Sequence, residues 1–257
     1  MDNVLYEVND RVCLLTLNRP EKKNALNAEL VTALKERLSQ AEQDSLVKVI
    51  VLKANGDVFC SGADLGSLQK LQSNTHQENL DDSKNLMELF RQIYTLKKVV
   101  IAQIEGHALA GGCGLATVCD FSFVVPNAKL GYTEVRIGFV PAIVMVFLLR
   151  KIGEQRARQL LLSGDLVTGR DAVSLGLVNF TSDPDQIEAE VRTFAQRLVI
   201  GNSAKSLEFT KKMIAEVQSM SLDEGLNYAA EMNANARATD DCKRGVAAFL
   251  NKEKLFW

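Results

Sequence analysis

The strongest constraint on this chain is an alternation. Short runs rich in β-branched and aliphatic residues, VCLLTL (12–17), VKVIVLKA (47–54), VVIAQIEG (99–106) and DFSFVV (120–125), are separated by stretches with helical spacing. The runs have the length and residue types of buried strands. Between the first two, Leu26, Leu30, Leu34 and Leu38 recur every fourth residue and stripe one side of a helix, with Asn27 placed to cap it. Another helix is expected over residues 80–97, ahead of the third run. Strands interleaved with helices call for crossover connections and an α/β architecture.

The pattern changes after Pro184, where 184–200, 203–218, 222–237 and 240–250 all read as helices. The expected organisation is an α/β body over residues 1–200 that carries the site, then a helical region over 201–257 docked on the body or on a neighbouring subunit. No internal repeat is legible. Residues 72–84, QSNTHQENLDDSK, bury little and read as a mobile segment or an exposed helix start.

Charge and composition exclude several functions. The 30 Lys and Arg nearly balance 32 Asp and Glu, a net charge of −2, so there is no basic excess for gripping nucleic acid. At 47% hydrophobic residues the chain is not disordered. No membrane partner is expected, because no stretch of 18 apolar residues occurs; MDNVLYEVND is acidic where a secretion signal is basic and then apolar. A cytoplasmic protein is expected. Five scattered cysteines without a CxxC pair read as reduced thiols, and with only His76 and His107 the chain offers no converging metal ligands.

Three segments break the rhythm of ordinary packing. In FCSGADL (59–65), Gly62 and Ala63 permit a tight bend and close approach of a ligand to the backbone. The plainer reading is a strand-to-helix turn with Asp64 at the helix start. In GHALAGGCGLATVCD (106–120), three glycines fall within four residues. They serve either close helix packing or a helix N-terminus whose free N–H groups face a ligand oxygen. The segment is neither a GxGxxG fingerprint nor a phosphate loop. In GYTEVRIGFVPA (131–142), Glu134 stands beside an apolar run, where its pKa would rise toward neutrality. The alternative is a solvated Glu134 paired with Arg136. Together the segments supply two backbone donors and one carboxylate, enough to hold an enolate while a proton moves.

NRPEKKNALN (18–27), FCSGADL (59–65), GHALAGGCGLATVCD (106–120), GYTEVRIGFVPA (131–142) and LLLSGDLVTGRDAVSLGLVN (160–179) occur in that order. Through them the chain closely resembles the enoyl-CoA hydratase/isomerase (crotonase) superfamily over nearly its full length. The resemblance implies an α/β spiral of ββα units with a C-terminal helical trimerisation region, assembled as trimers or dimers of trimers. It implies a coenzyme A thioester as substrate, with no separate cofactor. By that resemblance the backbone N–H groups of Ala63 and Gly111 form the oxyanion hole. Lys22, Ala25, Ala63, Asp64 and Leu65 would contact coenzyme A, and Glu134 would be the catalytic acid. His107 and Phe139 are further pocket candidates, His107 more as a structural residue packed neutral in an apolar setting. The family's first glutamate is missing, since Gly114 takes its place and would leave room for water. Water addition to a 2-enoyl-CoA is the expected reaction; double-bond migration by one glutamate, decarboxylation of a carboxylated acyl-CoA, and a non-catalytic trimeric scaffold are the alternatives. Phe256 and Trp257 read as an apolar tip for a subunit surface or the adenine pocket.

Overall fold

Residues 2–257 are described by a computed structural model. The chain opens with a hairpin: β1 (Val4–Asn9) and β2 (Val12–Leu17) pair antiparallel across Asp10 and Arg11, which have φ of 48° and 65°. Such left-handed two-residue turns match the twist of the flanking strands. Next comes α1 (Ala28–Gln43), capped where Asn27 accepts from the Leu30 N–H, with Leu30, Leu34 and Leu38 buried. The stripe read from the sequence is thus the buried face of the helix, packed towards α3 and β1.

The rest of the body repeats one unit: a strand in a large sheet, a short strand in a small sheet, then helix. β3 (Val49–Ala54) and β4 (Val58–Cys60) precede α2 (Leu65–Lys70) and α3 (His76–Thr95). β5 (Val99–Ile104) and β6 (His107–Leu109) precede α4 (Gly111–Val118); β7 (Phe121–Val124) and β8 (Lys129–Gly131) precede α5 (Ala142–Ser163). β9 (Val167–Thr168), α6 (Gly169–Ser174) and β10 (Phe180–Thr181) close the series, and α7 (Ile187–Gly201) lies on the large sheet. The large sheet runs β1-β2-β3-β5-β7-β10, parallel from β2 onward, and the small one β4-β6-β8-β9. This is the expected ββα spiral. A repeat therefore exists in space although none is legible in the sequence, because β4, β6 and β8 have three residues each, too few to show a period.

α8 (Ala204–Val217), α9 (Leu222–Ala238) and α10 (Asp240–Leu250) follow, within a residue or two of the predicted spans. α3 begins four residues before the expected start, on a Thr75–Glu78 capping box, so the polar segment at 72–84 is largely an exposed helix start. No helix among the described residues is long and apolar enough to cross a membrane.

Two details bear on the site. The Lys151 Nζ donates to the carbonyls of Thr117 and Cys119 at 2.6 and 3.2 Å, capping the C-terminus of α4 with a cation. The terminal tryptophan is not an exposed tip. Trp257 N–H donates to the Ile200 carbonyl at 3.0 Å, and its ring lies 4.7 Å under the Arg244 guanidinium, while Phe256 stays exposed.

Candidate active site

The first turn follows β4. Gly62 takes φ of +91°, a left-handed conformation suited to glycine. Leu26 N–H donates to the Gly62 carbonyl at 2.7 Å, and Asp64 N–H donates to the Leu26 carbonyl at 2.9 Å. The C=O and N–H of a trans peptide point in opposite directions. Anchoring the Gly62 carbonyl on Leu26 therefore turns the Ala63 N–H away from the 18–26 segment. Ala63 itself is exposed.

The second turn follows β6. Ala110 has φ 51° and ψ −126°, a conformation costly for a residue with a Cβ, and its N–H is tied to the Gly131 carbonyl at 2.7 Å. Its carbonyl accepts the Gly114 N–H at 3.1 Å, the first bond of α4. Gly111 is the first residue of that helix, so its N–H has no acceptor within it.

The two turns touch. A Cβ on Gly62 would lie 2.9 Å from the Ala110 Cβ and 3.6 Å from the Gly111 nitrogen. A Cβ on Gly112 would lie only 2.3 Å from the Cys60 carbonyl oxygen. The glycine run packs backbone on backbone, the first of the two alternatives offered above, and this packing brings the two turns that bear the candidate donors together.

Glu134 opens a 3-10 turn, Glu134–Ile137, after β8. It is 8% exposed, and its Oε2 is buried without a hydrogen-bond partner. Burial raises its pKa above the ordinary carboxylate range, opposed only by a bond from its own backbone N–H. Arg136 pairs with Asp165 at 2.7 Å instead. The solvated, Arg136-paired alternative is therefore excluded. Phe139 N–H donates to the Glu134 carbonyl at 3.0 Å while its ring stays half exposed.

Gly114 requires a correction. A Cβ there would fall 2.2 Å from Val144 Cγ1 and 3.3 Å from Phe90 Cζ. Val144, in the first turn of α5, and Phe90, on α3, fill the direction a side chain at 114 would take. The glycine leaves no room for water; it accommodates an apolar wall.

The other candidates divide. Lys22 is exposed on the 3-10 turn Pro20–Lys22. Ala25 is buried, its N–H donating to the Lys22 carbonyl at 3.0 Å. Asp64 spends both carboxylate oxygens locally: Oδ1 accepts the Gly66 N–H at 2.9 Å, capping α2, and Oδ2 pairs with Arg19 at 3.3 Å. Leu65 is 77% exposed beside it. His107 does not join the group. It sits exposed at the end of β6 remote from Ala110, not in an apolar setting, and its Nδ1 accepts the Lys129 N–H at 3.0 Å. Burial pushes the Cys60 and Cys113 thiols up to about 12, so they stay protonated at neutrality.

Three residues escaped the sequence reading. Arg19 donates to the Ala25 carbonyl at 2.8 Å as well as to Asp64. Asn24 is fully buried and joins the 18–26 segment to the Asn55 and Val58 carbonyls at 2.9 and 2.8 Å. Val144 is the third. Arg19 and Asn24 lie within the NRPEKKNALN motif, which was the available signal; nothing local marks Val144. A cleft of about 520 Å³ lies elsewhere, with Lys48, Lys98, Asp240 and Asp241 in its lining, and contains none of the candidate residues. No group of three His, Cys, Asp or Glu side chains among the described residues could hold a metal ion.

The family model described as enoyl-CoA hydratase/isomerase matches residues 7–257. The chain is 41% identical over 241 residues to a Thermus thermophilus protein provisionally described as an enoyl-CoA hydratase, covering 94% of this chain and 95% of that one. It is 31% identical to the crotonyl-CoA hydratase of Syntrophomonas wolfei, covering 98% and 96% of the two chains. The enoyl-CoA hydratase structure from Mycobacterium smegmatis superposes with a TM-score of 0.93 at 27% identity, over 99% and 98% of the two chains. With spiral, paired turns and matched length in agreement, the chain belongs to the enoyl-CoA hydratase/isomerase family.

Proposed function

We propose that this enzyme adds water to a 2-enoyl-CoA thioester, and removes it in reverse, through an enolate held by the Ala63 and Gly111 N–H groups. Neutral amide donors stabilise an oxygen more as it gains negative charge. The water oxygen bonds to the β carbon, Glu134 gives its proton to the α carbon, and the proton that the water loses returns to the Glu134 carboxylate, leaving the enzyme as it began. The observation that carries this reading is the buried, unpartnered Oε2 of Glu134, in the turn after β8, the strand paired with β6, from which α4 follows. A carboxyl group with a raised pKa suits proton exchange near neutrality. Coenzyme A enters as part of the substrate, with Lys22, the backbone at Ala25 and Ala63, Asp64 and Leu65 as its proposed contacts.

A second reading, double-bond migration, is favoured by the apolar wall at Val144 and Phe90, which leaves one carboxylate. Glu134 would then take a proton from C2 of a 3-enoyl-CoA and return it to C4. Crotonyl-CoA, a 3-enoyl-CoA and 3-methylglutaconyl-CoA, assayed side by side for water addition, migration and CO₂ release, separate the reactions. In Glu134→Gln, turnover is expected to fall by about 10³-fold while acyl-CoA still binds. An unchanged rate overturns the assignment.

Self-association as trimers or dimers of trimers is proposed with it. The chain exposes 13868 Å² of surface, against about 11,000 Å² for a monomer of 28.3 kDa. Leu222, Leu226, Phe249 and Leu250 are exposed on the 201–257 region, as an interface there requires.

A further inference from the structure

The Ala63 donor stands at the end of a chain of hydrogen bonds that begins on a cation. Arg19 Nη1 donates to the Ala25 carbonyl at 2.8 Å. That carbonyl shares its peptide unit with the Leu26 N–H, which donates to the Gly62 carbonyl at 2.7 Å. The Gly62 carbonyl in turn shares its peptide unit with the Ala63 N–H. Each accepted bond draws electron density toward the carbonyl oxygen and makes the N–H of the same amide a better donor, so bonds in series strengthen one another. The starting point is fixed as well as charged. The Arg19 side chain is 13% exposed, its second nitrogen is held by Asp64 at 3.3 Å, and its backbone N–H donates to the buried Asn24 Oδ1 at 2.9 Å. Gly62, at φ +91°, would otherwise leave this peptide free to swing.

We infer that Arg19 is a positioning residue for the reaction, aiming and polarising the Ala63 N–H through two peptide units without touching the substrate. The inference rests on the proposed role of Ala63 as an oxyanion donor. It assigns the arginine of the NRPEKKNALN segment to the enolate, not to coenzyme A.

The test compares Arg19→Lys, which keeps a cation for the Ala25 carbonyl, with Arg19→Gln, which keeps only a neutral donor. Two quantities are read: kcat on crotonyl-CoA, and the infrared carbonyl frequency of bound butyryl-CoA labelled with ¹³C at the thioester carbon. Wild-type protein is expected to lower that frequency relative to free butyryl-CoA. Arg19→Gln should lose about half of the downshift and about tenfold in kcat, while Arg19→Lys stays within about threefold of wild type. Affinity for free coenzyme A, which is proposed to meet the Ala25 backbone and Asp64 that Arg19 holds, should change by less than kcat in both variants. Equal behaviour of the Lys and Gln variants, at whatever level, overturns the inference, as does a loss confined to coenzyme A affinity. If Arg19→Gln does not fold, Arg19→Lys decides: retained downshift and kcat support the inference, and loss of either overturns it. A wild-type protein that leaves the frequency unshifted overturns the donor assignment at Ala63 and Gly111 itself. A wild-type downshift that Arg19→Gln keeps in full overturns only the role of Arg19.

Discussion

The turns at 60–64 and 109–112 each carry a candidate backbone N–H donor and are built in opposite ways. The second is made by packing. Ala110 is held in a costly conformation, Gly112 presses on the Cys60 carbonyl, and α4 follows directly with its far end capped by Lys151. The first is made by hydrogen bonds. Ala63 is exposed, and its orientation comes from the 18–26 segment through Leu26 and Arg19. A donor made by packing resists added volume; one made by hydrogen bonds resists loss of a bond but accepts a larger side chain.

That contrast fails or holds on substitution. Gly112→Val should have the largest effect, because its Cβ meets backbone and not a movable side chain. A loss of more than about 3 kcal/mol, or failure to fold, is expected, whereas Ala63→Ser should change stability by less than about 0.5 kcal/mol. Denaturant melts of the two variants check this, and similar values would erase the distinction. Ala63→Pro comes next. It removes one N–H from the exposed turn, so kcat should fall by about 10²-fold with the protein still folded. A rate equal to wild type in the folded variant would remove Ala63 from the mechanism.

Smaller effects sharpen the boundary of the packed region. Gly114→Ala should cost about 1–3 kcal/mol through the clash with Val144, and Val144→Ala in the same chain should recover part of it. Additive losses in that double-mutant cycle would mean that Val144 does not fill the space. The smallest effect concerns pH. The raised pKa of Glu134 means that the folded protein holds a proton the unfolded chain has released. Stability should therefore fall as pH rises from the ordinary carboxylate range through the raised value. Glu134→Gln lacks that slope, and its Tm above the ordinary carboxylate range should exceed that of wild type, the gap closing as the pH falls back into that range. A gap that widens as the pH falls would contradict the burial argument.

How far the sequence reveals these features depends on the range of the forces that make them. α1 is legible because its cap at Asn27 and its leucine stripe are local and periodic. β1 has no counterpart in the reading above; its six residues look like a polar start until the Asp10–Arg11 turn folds them onto β2. The small sheet is invisible, being assembled from strands of two or three residues that pair only after the helices have crossed over. Within the site, the glycine turns and Glu134 stand out as departures from packing rules. Val144 does not, since an apolar residue among apolar residues declares nothing until its neighbour across the helix pair is known. Arg19 was hidden differently: the partner through which it reaches the site is a backbone carbonyl, that of Ala25, and a sequence names side chains only.

The most direct measurement is a crystal structure of Glu134→Gln with crotonyl-CoA bound. The thioester oxygen is expected 2.7–3.1 Å from both the Ala63 and Gly111 nitrogens, with the carboxamide of residue 134 facing the α carbon. A thioester oxygen bonded to other groups, or a residue 134 turned away from the substrate, would contradict it.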